Sequence, residues 1–456
     1  MRALRILALV FAILVAIALA AVVAITQLVD ANRLKPQIEA AVRDATGQSL
    51  QLRGNIKLNF FPWLALQSEQ GEFAPPLARW QSMSVRARLV PLLRGQLQVD
   101  RVRLDGLVLR LQKNADGTNN WSGFVAPQQT PVTPAAPPAL AGLDLINATI
   151  DYRDLASHTH FRAEKLQLTS GVLAPGRAID LQLAGDLRVG APAAAAGPPV
   201  LHASLTGQWQ LADSKMSFSA IQATGLLRAA NLNASGVAWQ ISVPLVTYEP
   251  ATADTRLASG VANFAGVRVA VANVRFRAGA DPAAKRSGTT ATGTTAAASG
   301  AVHLTTATLR DSLRTLGATL PATTDPNALG ALSGDLSFDL RDGIWSIADM
   351  TVRIDDTQLR GNVSAATSPF QFTLHGDRVN VDRYLSPASV PAKPWEFPAA
   401  VLRDLQAQGS VLFDQAEYQG YALRNAKLEF ILHDGTLRSV ESQTAPPEKS
   451  KQKRKP

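Results

Sequence analysis

From Leu50 onward, apolar residues recur at every second position in short runs. Leu50 and Leu52 alternate with Gln51 and Arg53, and Ile56, Leu58 and Phe60 alternate with Asn55, Lys57 and Asn59. Successive side chains of a strand point to opposite faces, so each run is a strand with one apolar and one polar side. Further runs fall at Val85–Leu89, Leu97–Val99, Val102–Leu104, Leu107–Leu111, Leu143–Tyr152, Lys165–Thr169, Ile179–Val189, Val200–Leu211, Lys215–Ala220 and Val237–Val243. They continue at Val267–Val271, Val274–Arg277, Leu336–Leu340, Ile344–Ile347, Met350–Ile354, Gln358–Val363, Phe370–Leu374, Val411–Phe413 and Ala426–Leu432. A parallel sheet would need a helix between strands and apolar runs on both faces. Neither pattern is present, so the chain is expected to be mainly β and mostly antiparallel. Its apolar face must be buried, either on a second sheet as a sandwich or by curling round a groove. Aromatic residues make up only 6% of the chain and small alanines are many, which fits an unfilled groove somewhat better than a dense sandwich core.

Ile6 to Ile25 is the second constraint. These twenty residues carry no charge, amide or hydroxyl. As a helix they would reach ~30 Å, the hydrocarbon thickness of a bilayer. A signal-peptide core is usually ~7–15 residues, so the run predicts an uncleaved transmembrane anchor. Arg2, Arg5 and the free amino terminus put three positive charges before it, and Asp30 cancels one of the two carried by Arg33 and Lys35 behind it. That asymmetry predicts a cytoplasmic N-terminus and export of the remaining chain.

A few short helices break the β pattern. Leu34, Ile38, Ala41, Val42 and Ala45 share one helical face over Asp30–Ala45, with Pro36 in the first turn and Gly47 at the end. Leu309, Leu313, Leu316 and Leu320 mark a helix over Thr308–Leu320, and Ala399–Gln408 is predicted as a third. Pro127–Pro138 and Gly279–Gly300 are low-complexity loops. Glu441–Pro456 holds five basic and two acidic residues, a solvated tail of net +3 within a total of +9. The other charges are scattered among strands with no aromatic ladder, which excludes a nucleic-acid partner.

Chemistry-bearing motifs are sparse. There is no cysteine, and no nucleophile elbow, phosphate-binding loop or dinucleotide fingerprint. His158 and His160 would share a strand face near Asp151 and Asp154, a weak metal signal. Asp355-Asp356 and Asp342-Gly343 read as turns. The expectation is a non-enzymatic protein with no catalytic residues, no cofactor and no metal. Alternation, with one register shift at Asp105-Gly106, puts Leu104, Leu107 and Leu109 on the apolar face. Val352, Ile354, Phe370, Phe372 and Leu374 should point the same way. Phe60, Phe61 and Trp63, before Leu64, form an apolar corner that suits either a membrane interface or a packed strand end.

Several segments in order resemble the AsmA family. They are Asp30-x-Asn32-x-Leu34-Lys35-Pro36, Ile38-Glu39-Ala40-Ala41-Val42, Thr46-Gly47, Gly54 and Phe61-Pro62-Trp63-Leu64. Pro91-Leu92-Leu93-Arg94-Gly95, Val102-x-Leu104-Asp105-Gly106 and Asp116-Gly117 through Asn120-Trp121 follow. Late in the chain come Gly376-Asp377-x-Val379-Asn380-Val381-Asp382-Arg383-Tyr384-Leu385 and Asp434-Gly435-x-Leu437. Family members usually continue past the last of these with more strands. The resemblance implies a single-pass inner-membrane protein of a Gram-negative envelope, with its body in the periplasm. That body would be an elongated, curled, mostly antiparallel sheet forming an apolar groove, similar to bridge-like lipid-transfer proteins. The implied partners are membrane phospholipid, the inner membrane through residues 6–25, and envelope proteins. The implied role is phospholipid traffic and outer-membrane homeostasis, with a structural or regulatory part in outer-membrane protein assembly as the alternative. The expected organisation is an anchor (1–29), an N-terminal AsmA-like segment (30–126), a Pro/Ala linker (127–142) and a middle β segment (143–278). A low-complexity loop (279–300), a C-terminal AsmA-like segment (301–440) and a basic tail (441–456) complete it.

Overall fold

The computed structural model describes residues 31–440 except 47, 60–63, 75–76, 89–98, 122–139, 175, 191–198, 213, 231, 233–234, 278–295, 321, 342–343, 366–369, 388–405 and 434–435. The predicted anchor over 6–25, the corner Phe60, Phe61 and Trp63, Asp342-Gly343 and the basic tail lie outside these residues. Among the described residues, no helix is long and apolar enough to cross a membrane. The protein is mainly β and mostly antiparallel. It divides into two compact units, residues 1–206 and 207–456, with strand β12 (Val200–Ala212) at the division.

The first unit opens with a 3-10 turn (Ala31–Leu34) leading into helix α1 (Lys35–Thr46). Eleven strands follow: β1 (Ser49–Leu52), β2 (Ile56–Asn59), β3 (Leu64–Ser68), β4 (Gly71–Ala74), β5 (Ala78–Trp80), β6 (Ser82–Ala87), β7 (Val99–Asp105), β8 (Val108–Lys113), β9 (Gly142–Asp154), β10 (Thr159–Ser170) and β11 (Ile179–Val189). They form two branches that meet on β9. One runs β1, β4, β5, β8, and the other runs β2, β3, β6, β7. Both β7 and β8 lie parallel to β9, one after the other along its length. Side chains from both branches converge on Leu50, Leu52, Ile56 and Trp80, with Ile38 and Val42 of α1 against them. The helix is also pinned by hydrogen bonds. Glu39 accepts from the Leu52 N–H at 2.7 Å, and Asn32 accepts from the Ile56 N–H at 3.1 Å. Gly71 makes room for Trp80, because a Cβ there would sit 2.2 Å from the indole ring.

The second unit holds β13 (Lys215–Arg228), β14 (Val237–Glu249), β15 (Asp254–Phe264), β16 (Val267–Arg277), β17 (Ala297–Thr306), helix α2 (Leu309–Thr315), β18 (Leu332–Arg341), β19 (Ile344–Ile354), β20 (Thr357–Ala365), β21 (Phe370–Asn380), β22 (Ala407–Tyr418), β23 (Tyr421–His433) and β24 (Thr436–Val440). Each strand pairs with the next, antiparallel throughout except for the parallel pair β21 and β22.

Five sequence expectations are corrected. Val267–Val271 and Val274–Arg277 are one strand, as are Ile344–Ile347 and Met350–Ile354. The alternation breaks at Asn273 and Asp349, which hold φ of 52° and 51° inside the strands. Ala297–Gly300, placed in a low-complexity loop, begins β17. Ala407 and Gln408, placed at a helix end, open β22 opposite Phe370 and Gln371. Helix α2 is shorter than predicted, stopping before Gly317 at φ 85°.

Candidate functional site

The candidate site is the apolar face of the second unit. Cross-strand partners share a face, so the register assigns each side chain. On one side, Ile221, Val243 and Gly260 align with Val271, Val302 and Leu336. Further along, Phe338 meets Ile347, Val352 meets Leu359, and Val363 meets Phe372. From β13 to β21 every described residue on this face is apolar, glycine, threonine or tyrosine.

Strict alternation does not produce this continuity. On β13 the face is carried by Met216 and Phe218, then by Ile221 and Ala223. On β16 it passes from Val271 to Val274, and on β19 from Met350 to Ile347. At these three crossings two successive residues face away, and one of them holds positive φ: Ala220 at 50°, Asn273 at 52° and Asp349 at 51°. Asn425 at 52° marks the same change on β23 between Ala426 and Leu423. These irregularities bend the strands and keep the apolar set on one side.

The face is largely open. Phe218, Ile241, Phe276 and Trp345 are 37%, 38%, 44% and 45% exposed. The buried cluster of this unit lies at β21 to β23, where Phe372 and Leu374 pack against Val411 and Phe413. Gly409 and Gly376 create that closeness, because a Cβ on Gly409 would lie 2.0 Å from the Phe372 carbonyl, and one on Gly376 would lie 2.3 Å from the Phe413 ring.

Asp377 to Tyr384 tie several turns together. Asp377 accepts from the Gln358 N–H at 2.8 Å, and Asp382 accepts from the Gln419 N–H at 2.7 Å. Arg383 donates to Asp325 at 2.8 Å and also bonds Asp356. Asp355, in the turn after β19, accepts from the Leu329, Gly330 and Ala331 N–H groups. Burial pushes the Asp355 carboxyl upward, but these donors and Tyr384 outweigh it and hold it below the usual range. These bonds account for Asp355-Asp356 as turn residues. On the polar face, Asp254 is held at a pKa of about 2, first by the Arg275 hydrogen bonds and, against its burial, by Arg256.

The predicted lining residues are placed as follows. Val352 and Ile354 pair with Gly334 and Leu332, and Phe370, Phe372 and Leu374 share their side of the sheet. In the first unit, Leu104 sits between Met83 and Leu145 and packs on the Trp80 cluster. Leu109 pairs with Ile150, and the Leu107 carbonyl accepts from the Thr149 N–H at 2.7 Å. Trp239, Phe276 and Trp345 also belong to the face; each alternates with apolar neighbours on its own strand, but the continuity of that side from strand to strand is set by the register, which the sequence does not display. His158 and His160 do not share a strand face. His158 lies in the turn before β10 and bonds the Leu155 carbonyl, while His160 bonds Asp151 at 3.3 Å.

A family model described as the AsmA family matches residues 1–414. Protein AsmA of Escherichia coli (strain K12) is 30% identical over 122 residues, covering 25% of this chain and 20% of that protein. The matched region therefore spans about a fifth of that relative's length. No solved structure matches.

Proposed function

This chain belongs to the AsmA family, and from that premise we propose that it is a membrane-anchored carrier whose apolar face holds phospholipid acyl chains. The observation that carries the reading is the uncharged face from β13 to β21, partly exposed at Phe218, Ile241, Phe276 and Trp345. Apolar surface left in water is unfavourable by roughly 25 cal/mol per Å², so such a face needs an apolar occupant. The bends at Ala220, Asn273 and Asp349 suit a curled groove along which chains slide. Residues 6–25 would hold the N-terminus in the inner membrane, with the body in the periplasm supporting outer-membrane homeostasis. The reading assigns no catalytic step and no cofactor.

Mass spectrometry of the full chain purified in mild detergent should find co-purified diacyl phospholipid. Phe276→Asp should remove it. Undiminished lipid in that folded variant would refute the carrier and favour a factor for outer-membrane protein assembly acting by protein contacts. A reporter active only outside the cytoplasm, fused after Val440, should be active. A silent reporter would reject the proposed topology.

A further inference from the structure

We infer that the polar side of the first unit carries a binding site for a phosphate-bearing anion, built on the guanidinium groups of Arg79, Arg110, Arg153 and Arg162. The four line one concavity of about 600 Å³, and Asp151 is the carboxylate lining it. The register brings them together. Arg79 lies opposite Val108, which lies beside Thr149. Arg110 aligns with Asp151, and Asp151 with Arg162.

The charges do not balance. Asp151 is shared by Arg153 at 3.1 Å, Arg162 at 3.8 Å and His160 at 3.3 Å. Arg79 and Arg110 have no side-chain partner among the described residues. Glu72, the neighbour of Arg79 on β4, is engaged by Arg53. Arg162 also lies directly opposite Arg188 on β11, a like-charge pair that costs stability. Glu164 relieves it in part, at 2.8 Å from Arg162 and 3.5 Å from Arg188.

The surroundings suit a phosphate rather than a carboxylate-rich partner. Guanidinium groups present paired donors that match two phosphate oxygens at once. The turn after β8 closes one side, where Asn120 accepts from the Gln112 N–H at 2.9 Å and donates to the Arg110 carbonyl at 2.9 Å. That bracket steadies the β8 backbone beneath Arg110. The site lies on the reverse of the sheet from Leu109 and Ile150 and does not depend on the carrier reading.

The ligand chemistry could come from a dissolved phosphate or from a lipid head group. Two probes separate these sources, each by calorimetry with the full chain in mild detergent: inorganic phosphate, and glycerophosphoglycerol, the acyl-free head group of phosphatidylglycerol, which residues 6–25 cannot take up. The double variant Arg79→Gln/Arg110→Gln removes two cations with no side-chain partner among the described residues, so its β-rich circular dichroism spectrum and melting should be unchanged. At least one probe should bind the native chain and bind the double variant at least tenfold more weakly. Loss confined to phosphate assigns a dissolved anion, and loss on the phosphodiester assigns a head group. Failure of both probes to bind the native chain, or equal binding to the double variant, overturns the inference. Arg79→Lys/Arg110→Lys, which keeps charge but not the paired donors, should recover only part of the affinity.

Discussion

The hydroxyl of Tyr384 donates to the Asp355 carboxylate at 2.9 Å, joining the 3-10 turn after β21 to the turn between β19 and β20. The same carboxylate holds three backbone N–H groups of the segment before β18. Asp355→Ala would leave these donors without their acceptor. Two of these bonds are half-buried and the one to Ala331 is exposed, so a loss of about 1–2 kcal/mol, within the roughly 1–3 kcal/mol of an unsatisfied buried group, is expected in urea melts. Unchanged stability would show that this hub is dispensable.

The same pair sets two pH limits. Asp355 has a depressed carboxyl, so its contribution is present above about pH 4, the unfolded value, and is lost as pH falls through the lower folded one. Burial first, and Asp355 second, push the Tyr384 phenol up to about 12. Its contribution is fully present below about pH 10 and is lost as pH rises through about 12. Tyrosine absorbance titration should show one group ionising last, and Tyr384→Phe should remove it.

Phe276 and Phe372 share the apolar side but differ in surroundings. Phe276 is 44% exposed, so Phe276→Asp should lower stability by no more than about 1 kcal/mol. Lipid retention should nonetheless be lost. A strongly destabilised Phe276→Asp would mean that the face is covered there.

Phe372 packs on Val411 and Phe413, 8% and 9% exposed. A carboxylate at this position is unpaired and desolvated, which costs several kcal/mol. Phe372→Asp should therefore unfold or aggregate even if the rest of the face holds lipid. A soluble variant with a native circular dichroism spectrum would show that this cluster is loose.

Asn273 tests the strand crossings. At φ 52° a β-branched side chain is strained, whereas glycine is not. Asn273→Val should cost about 1–2 kcal/mol, and Asn273→Gly should be close to neutral. Equal melting of both variants would remove strain as the basis of the bend.

The sequence by itself determined that this protein is mainly β, that a short helix follows residue 30, and that Ile179–Val189 is a strand with those limits. These are local properties: alternation, helical spacing and the absence of crossover helices. Segments such as Asp382-Arg383-Tyr384 were also visible as a resemblance, but their bonds to Gln419, Asp325 and Asp355 were not. Only the tertiary structure decided which residues share the apolar face. Val271 and Val274 fall on opposite sides by simple alternation, yet both face the same way because Asn273 turns the backbone between them. That turn depends on the register with β17, set by residues far along the chain. The meeting of Arg79, Arg110 and Arg162 has the same origin, because β5, β8 and β10 become neighbours only through pairing around β9. Period two specifies that a strand has an oily side, and partner strands decide where that side continues.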